Sequence, residues 1–125
     1  LVVDDTAINL TVVKALLKRI KVQVDTASSG KECIEKATRT AYHIIFMDHM
    51  MPEMDGVETL ERLRAETINA SENAVVIVLT ANAIVGSKDM FLKKGFDDYM
   101  SKPIDGEVLE SMVEKYLPEE VIEYE

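Results

Sequence analysis

The chain of 125 residues is long enough for one domain with a single hydrophobic core and too short for two. A hydrophobic fraction of 47% beside 30% charged residues is that of an ordinary globular protein, and no apolar run approaches the length that crosses a bilayer, so direct membrane insertion is not expected. A formal charge of −9 argues against direct contact with nucleic-acid phosphates or an anionic membrane surface, both of which need a basic footprint.

Short apolar runs alternate with segments of helical periodicity, the pattern of a parallel sheet covered by helices on both faces. Leu1 to Val3 reads as the first strand and runs into Asp4 and Asp5 without a basic leader or a cleavage site. That abrupt start suggests a piece of a longer polypeptide. A helix over Ala7 to Arg19 is expected to turn Ile8, Val12, Ala15 and Leu16 towards the sheet. Val22 to Ala27 alternates with Gln23 and Asp25, as a less buried strand near an edge would. After the turn at Ser28, Ser29 and Gly30, a helix from Lys31 to Thr40 should bury Cys33, Ile34 and Ala37. Cys33 reads as a small packing residue; without a disulfide partner it fits a reducing compartment such as the cytoplasm.

The stretch from Ile44 to Gly56 organises the rest. Ile44, Ile45, Phe46 and Met47 form a buried strand that delivers Asp48 to the carboxyl edge of the sheet, where ligands of open α/β folds bind. Asp48 is expected at the mouth of a site and outside the core. Pro52 and Gly56 punctuate the following loop, and Asp55 is a plausible N-cap for a helix carrying Val57, Leu60 and Leu63. Thr67 to Asn73 reads as a loop, and Ala74 to Leu79 as a strand buried on both faces that ends at Thr80. A helix over Ser87 to Lys94 stops at Gly95, Tyr99 and Met100 lie on a short last strand, and Lys102-Pro103 follows. The final helix, Asp105 to Leu117, is expected to bury Val108, Leu109, Met112, Val113 and Tyr116. Pro118 ends it. The domain is therefore expected over residues 1–118, with the acidic residues 119–125 as a tail or linker stub.

Strand ends place Asp4, Asp5, Asp48, Thr80 and Lys102 at one sheet edge. Three converging carboxylates repel, so the arrangement asks for a cation. Mg²⁺ suits it, with Mn²⁺ as a substitute, because a hard cation takes one or two carboxylates plus a phosphate oxygen. Lys102 and Thr80 can hold further phosphate oxygens by charge and by hydrogen bonding. An ionised aspartate can also attack a phosphoryl group to form an acyl phosphate, which water would later hydrolyse. Taken singly, each residue has a plainer reading: Asp4 and Asp5 as helix-start acids, Thr80 as a loop cap, Lys102 as a solvated charge and Tyr99 as packing.

Val3-Asp4-Asp5, Met47-Asp48 with Met51-Pro52-Glu53-Met54-Asp55-Gly56, Thr80-Ala81 and Lys102-Pro103, together and in order, resemble the receiver domain of two-component response regulators. The resemblance implies a flavodoxin-like, doubly wound (βα)5 three-layer sandwich, with a parallel sheet in the order 2-1-3-4-5. It implies that Asp48 accepts a phosphoryl group from a histidine of a histidine kinase or histidine phosphotransfer domain. Asp5, Asp48 and the backbone carbonyl of Met50 would hold Mg²⁺, Asp4 would help through water, and Thr80, Ala81 and Lys102 would bind the phosphate. Thr80 and Tyr99 would act as switch residues that remodel the face of the fourth helix, fifth strand and fifth helix, where dimerisation could occur. A cis peptide bond would precede Pro103. The domain would catalyse its own phosphorylation and dephosphorylation.

Asn9, the run from Thr80 to Ala83 and the run from Gly95 to Ile104 are most similar to receivers attached to hybrid sensor histidine kinases, whose parent chain can be membrane-anchored. Two departures concern tuning. His49 stands where an aliphatic residue is common, so its ring is expected to affect local electrostatics or loop packing. Met50 cannot orient an attacking water, which predicts slow hydrolysis, with Asn82 as a further tuning position. Two other classes compete. An Asp-nucleophile phosphatase would want an acid at position 50 and a substrate cap, and a silent flavodoxin-like interaction module would be expected to lack Asp48 or Lys102.

Overall fold

The computed structural model describes residues 1–18, 24–67, 69–81, 87–102 and 104–116. Among the described residues, five strands and five helices alternate: β1 (Val2–Val3), α1 (Ala7–Lys18), β2 (Thr26–Ala27), α2 (Gly30–Arg39), β3 (Ile44–Asp48), α3 (Gly56–Arg64), β4 (Val75–Thr80), α4 (Ser87–Lys93), β5 (Asp98–Ser101) and α5 (Gly106–Tyr116). The strands form one parallel sheet in the order β2-β1-β3-β4-β5, as the resemblance implies.

Alternation along the strands divides the core in two. Val3, Ile45, Met47, Val76 and Val78 face one way and pack with Cys33, Ala37, Leu60, Leu63 and Phe91 from α2, α3 and α4. Val2, Ile44, Phe46, Ile77, Leu79 and Met100 face the other way, against Val13 and Leu17 of α1 and Leu109 and Val113 of α5. Helices cover both faces of the central strands, so β3 and β4 read as unbroken apolar runs in place of an alternating pattern.

Local signals set the helix ends. Ser29 caps α2 by accepting from the Glu32 N–H, and Glu32 reaches back to the Ser28 N–H at 2.8 Å, so two N-terminal donors are satisfied. Asp55 caps α3 by accepting from the Glu58 N–H at 2.9 Å, as its position predicts. Gly95 closes the end of α4 with φ of +108°, a backbone state that a side chain would strain.

Three expectations are corrected. On α1, Leu10, Val13 and Leu17 pack inward together with Leu16, which was expected there, whereas Ala15 is exposed and Ile8 and Val12 are 73% and 45% exposed. The helix is apolar on more than one side, and the side that meets the sheet carries Val13 and Leu17. On α5, Val108 is exposed, while Leu109 and Val113 make the core contact. β2 is shorter than expected, with Val24 and Asp25 outside it; Val22 and Gln23 lie outside the described residues. So do Arg19, Asn82, Ala83, Pro103 and residues 117–125, and with them the expectations about tuning at Asn82, the peptide bond before Pro103 and the tail. Among the described residues, no helix is long and apolar enough to cross a membrane.

Candidate phosphoacceptor site

The fold brings the carboxyl ends of β1, β3, β4 and β5 to one edge. Parallel pairing puts Val3 opposite Met47, Asp48 opposite Leu79 and Thr80 opposite Ser101, so the polar residues that end or follow these strands emerge side by side. Asp4, Asp5 and Asp48 each offer a carboxylate oxygen, and these three atoms lie within 4.8 Å of one another. Asp4 and Asp48 are buried, and Asp5 is exposed.

Lys102 supplies the opposing charge. Its Nζ lies 2.8 Å from Asp48 Oδ1 and 3.3 Å from Asp4 Oδ2. The Lys102 N–H donates to the Thr80 carbonyl at 2.8 Å, which extends the β4 to β5 ladder and aims the side chain across the edge. Asp48 stands at the sheet edge as expected, but its side chain is only 5% exposed under the ammonium, so it is enclosed and not open at the mouth. Burial pushes the Asp48 carboxyl up, the Lys102 ammonium pulls it back, and the charges of Asp4 and Asp5 push it up again; it ends above the usual carboxylate range. Burial pulls the Lys102 ammonium down, and Asp48 and Asp4 outweigh that and hold it above its ordinary value.

Asp4 serves two ends. Its Oδ1 accepts from the Thr6 N–H at 2.9 Å, just before α1. Its Oδ2 accepts from Asn9 Nδ2 at 3.1 Å and faces Lys102. Asn9 therefore helps to orient Asp4 together with the Thr6 N–H and Lys102, a contact that the bare spacing of five residues did not reveal. Thr80 is buried at the end of β4, and Ala81 is exposed just after it. Tyr99 is half-buried on β5 and packs against the core on the α4 side.

The loop after Asp48 is held close. The Gly56 N–H donates to the His49 carbonyl at 2.8 Å, and a Cβ on Gly56 would come within 2.5 Å of the Asp48 carbonyl oxygen. Only a glycine lets the start of α3 approach the Asp48 peptide this closely. Met50 is 72% exposed, whereas Met51 is buried. The His49 ring stands edge-on to Phe91 of α4 with centroids 4.9 Å apart. Cys33 is buried, and burial pushes its thiol up to about 12, in keeping with a packing role.

The family model of the response regulator receiver domain matches residues 1–114. The chain belongs to this family. It is a receiver domain of two-component signalling, homologous to the receivers of hybrid sensor histidine kinases. It is 34% identical over 116 residues to the signal transduction histidine-protein kinase BarA of Escherichia coli strain K12, covering 93% of this chain and 12% of that protein. It is 40% identical over 119 residues to hybrid signal transduction histidine kinase F of Dictyostelium discoideum, covering 94% of this chain and 11% of that one. The receiver thus spans about an eighth or less of these relatives.

Among solved structures, the receiver domain of sensor histidine kinase PA1611 from Pseudomonas aeruginosa PAO1 is similar, with a TM-score of 0.80 and 30% identity over 92% of this chain and 93% of that one. That structure holds a magnesium ion in its active site cleft. The chemotaxis protein CheY4 of Vibrio cholerae matches with a TM-score of 0.83 and 25% identity over 93% and 95% of the two chains. The (βα)5 architecture is that of these proteins.

Proposed function

We propose that this receiver takes a phosphoryl group onto Asp48 from a phosphohistidine of a histidine kinase or histidine phosphotransfer domain. The observation that carries the reading is an enclosed carboxylate at the end of β3, 2.8 Å from Lys102 and grouped with two further acids. A carboxylate oxygen of Asp48 attacks phosphorus, the P–O bond forms as the P–N bond breaks, and the leaving imidazole nitrogen takes a proton from solvent. Lys102 is set to leave its carboxylate partners for the incoming phosphoryl oxygens, and the Thr80 hydroxyl and the Ala81 backbone complete the cradle. Hydrolysis is the return step, in which water attacks phosphorus and the carboxylate departs.

Asp5, Asp48 and the Met50 carbonyl would hold Mg²⁺ or Mn²⁺, with Asp4 acting through water. The donor set fits: hard oxygen ligands, net negative charge and an exposed Asp5 side that leaves room for waters. When bound, the cation neutralises charge on the phosphoryl oxygens. Thr80 and Tyr99 would carry the change to the face of α4, β5 and α5, a candidate surface for dimerisation. The exposed Ile8 and Val12 of α1 and Met50 beside Asp48 offer apolar surface to the phosphodonor. With its side chain turned to solvent and no group to align a water, Met50 supports slow hydrolysis. The receiver unit would span residues 1–118, with residues 119–125 as a linker within a hybrid kinase whose signalling domain faces the cytoplasm.

Intact-mass spectrometry after incubation with Mg²⁺ and acetyl phosphate tests the reading. One phosphoryl adduct that requires Mg²⁺ and is lost in Asp48→Asn is expected. No adduct on the folded wild type, or an adduct that persists in Asp48→Asn, would overturn it.

A further inference from the structure

The residue after Asp48 touches three elements at once. The His49 N–H donates to the Leu79 carbonyl at 2.9 Å, in the peptide that precedes Thr80. The His49 carbonyl accepts from Gly56 at the start of α3 at 2.8 Å. The ring meets Phe91 of α4 edge to face, with 4.9 Å between centroids and 81° between planes. Phe91 is 1% exposed and makes a second edge-to-face contact, at 5.8 Å and 89°, with Phe96 in the turn that leads into β5. The Phe96 N–H closes that turn on the Phe91 carbonyl at 3.1 Å. A continuous aromatic row thus runs from the phosphoacceptor peptide through α4 to the segment that carries Tyr99.

Resting on the phosphoacceptor reading, we infer that His49 is a positioning residue that couples the chemical state of Asp48 to α4 through the His49–Phe91–Phe96 row. The argument is mechanical. Conversion of a carboxylate to an acyl phosphate adds charge and three oxygens at a side chain that is 5% exposed, so the surrounding loop must yield. His49 is one peptide unit away and its backbone is tied on both sides, so its displacement is passed to the ring. The ring abuts a fully buried Phe91, and packed interiors shift between discrete arrangements and do not absorb strain locally. Edge-to-face contacts are directional, so an aliphatic residue at position 49 would fill space without fixing the Phe91 ring. This route runs through the aromatic rings of His49, Phe91 and Phe96 and does not use the Thr80 and Tyr99 side chains.

The test is hydrogen–deuterium exchange across residues 87–96 of the full chain, with and without acetyl phosphate and Mg²⁺, with the phosphorylated fraction measured by intact mass in the same samples. The wild type should show a change in α4 protection per phosphoryl group. In His49→Leu and in Phe91→Leu that change should fall about fivefold, the low end of ordinary coupling factors. His49→Phe, which keeps a ring, should restore most of it. A merely structural role would move protection equally in both states and leave the difference intact. A full α4 response per phosphoryl group in His49→Leu, or no rescue by His49→Phe, would overturn the inference while leaving the phosphoacceptor reading in place. No adduct on the wild type would overturn both.

Discussion

Lys102→Met keeps the stem and removes the charge that holds the acidic cluster together. At an effective dielectric of about 20, the attractions at 2.8 Å and 3.3 Å amount to about 6 and about 5 kcal/mol before solvation is counted. Withdrawing the ammonium and the carboxylates from water offsets several kcal/mol per ion, and breaking a fully buried pair typically costs about 3–5 kcal/mol net. Lys102 is 22% exposed, so solvent takes up part of the loss, and we expect about 2 kcal/mol of destabilisation at neutral pH. Urea unfolding followed by circular dichroism reads this directly. With a slope near 2 kcal/mol per M, the midpoint should fall by about 1 M.

The sign with pH is fixed by Asp48. Its folded carboxyl already titrates above the unfolded one, so its favourable contribution is complete below the unfolded pKa and is lost as pH rises through the folded pKa. Removing Lys102 raises the folded carboxyl further. The gap between variant and wild type should therefore narrow as the pH falls towards about 4, where the carboxylates protonate. Added Mg²⁺ should narrow it too. A deficit of the same size at neutral pH, at about pH 4 and in Mg²⁺ would refute the view that Lys102 compensates this cluster.

Asp48→Asn should be more stable than the wild type at neutral pH by about 1 kcal/mol, because the raised carboxyl is an ionised group held at a loss; equal urea midpoints would contradict this. Gly56→Ala should destabilise the fold by about 3 kcal/mol, since the new methyl meets a backbone oxygen at 2.5 Å; thermal unfolding checks it. Mg²⁺ at about ten times its Kd should add about 1.4 kcal/mol to wild-type stability, with most of that gain lost in Asp5→Asn. Tyr116→Phe removes a 2.7 Å hydrogen bond to the buried Asp98 and should cost about 1–2 kcal/mol at neutral pH. Burial pushes the Asp98 carboxyl up, but bonds from Tyr116, the Tyr99 N–H and Lys115 outweigh it and leave it low. That stabilisation is present above the unfolded pKa and disappears as pH falls through the folded one, so the Tyr116→Phe deficit should shrink in acid.

The local order of this protein was legible in its sequence because the physics there is local. The apolar runs at Ile44–Asp48 and Val75–Thr80, the caps at Ser29 and Asp55 and the stop at Gly95 each depend on a few neighbouring residues. Polar residues at the ends of parallel strands must gather at one edge, so Asp4, Asp5, Asp48, Thr80 and Lys102 group together from the sequence alone. Packing choices were not legible. Periodicity allowed α1 more than one apolar side, and its packing on the sheet buried Val13 and Leu17 and left Ile8 and Val12 exposed. The enclosure of Asp48 needed Lys102, which comes from a strand end 54 residues away. The contact between His49 and Phe91 joins a loop to a helix across β4, and no spacing encodes it. Sequence set which groups reach the edge, because strand polarity is a local property; tertiary structure alone decided what each group touches there, because contact is set by how the elements dock.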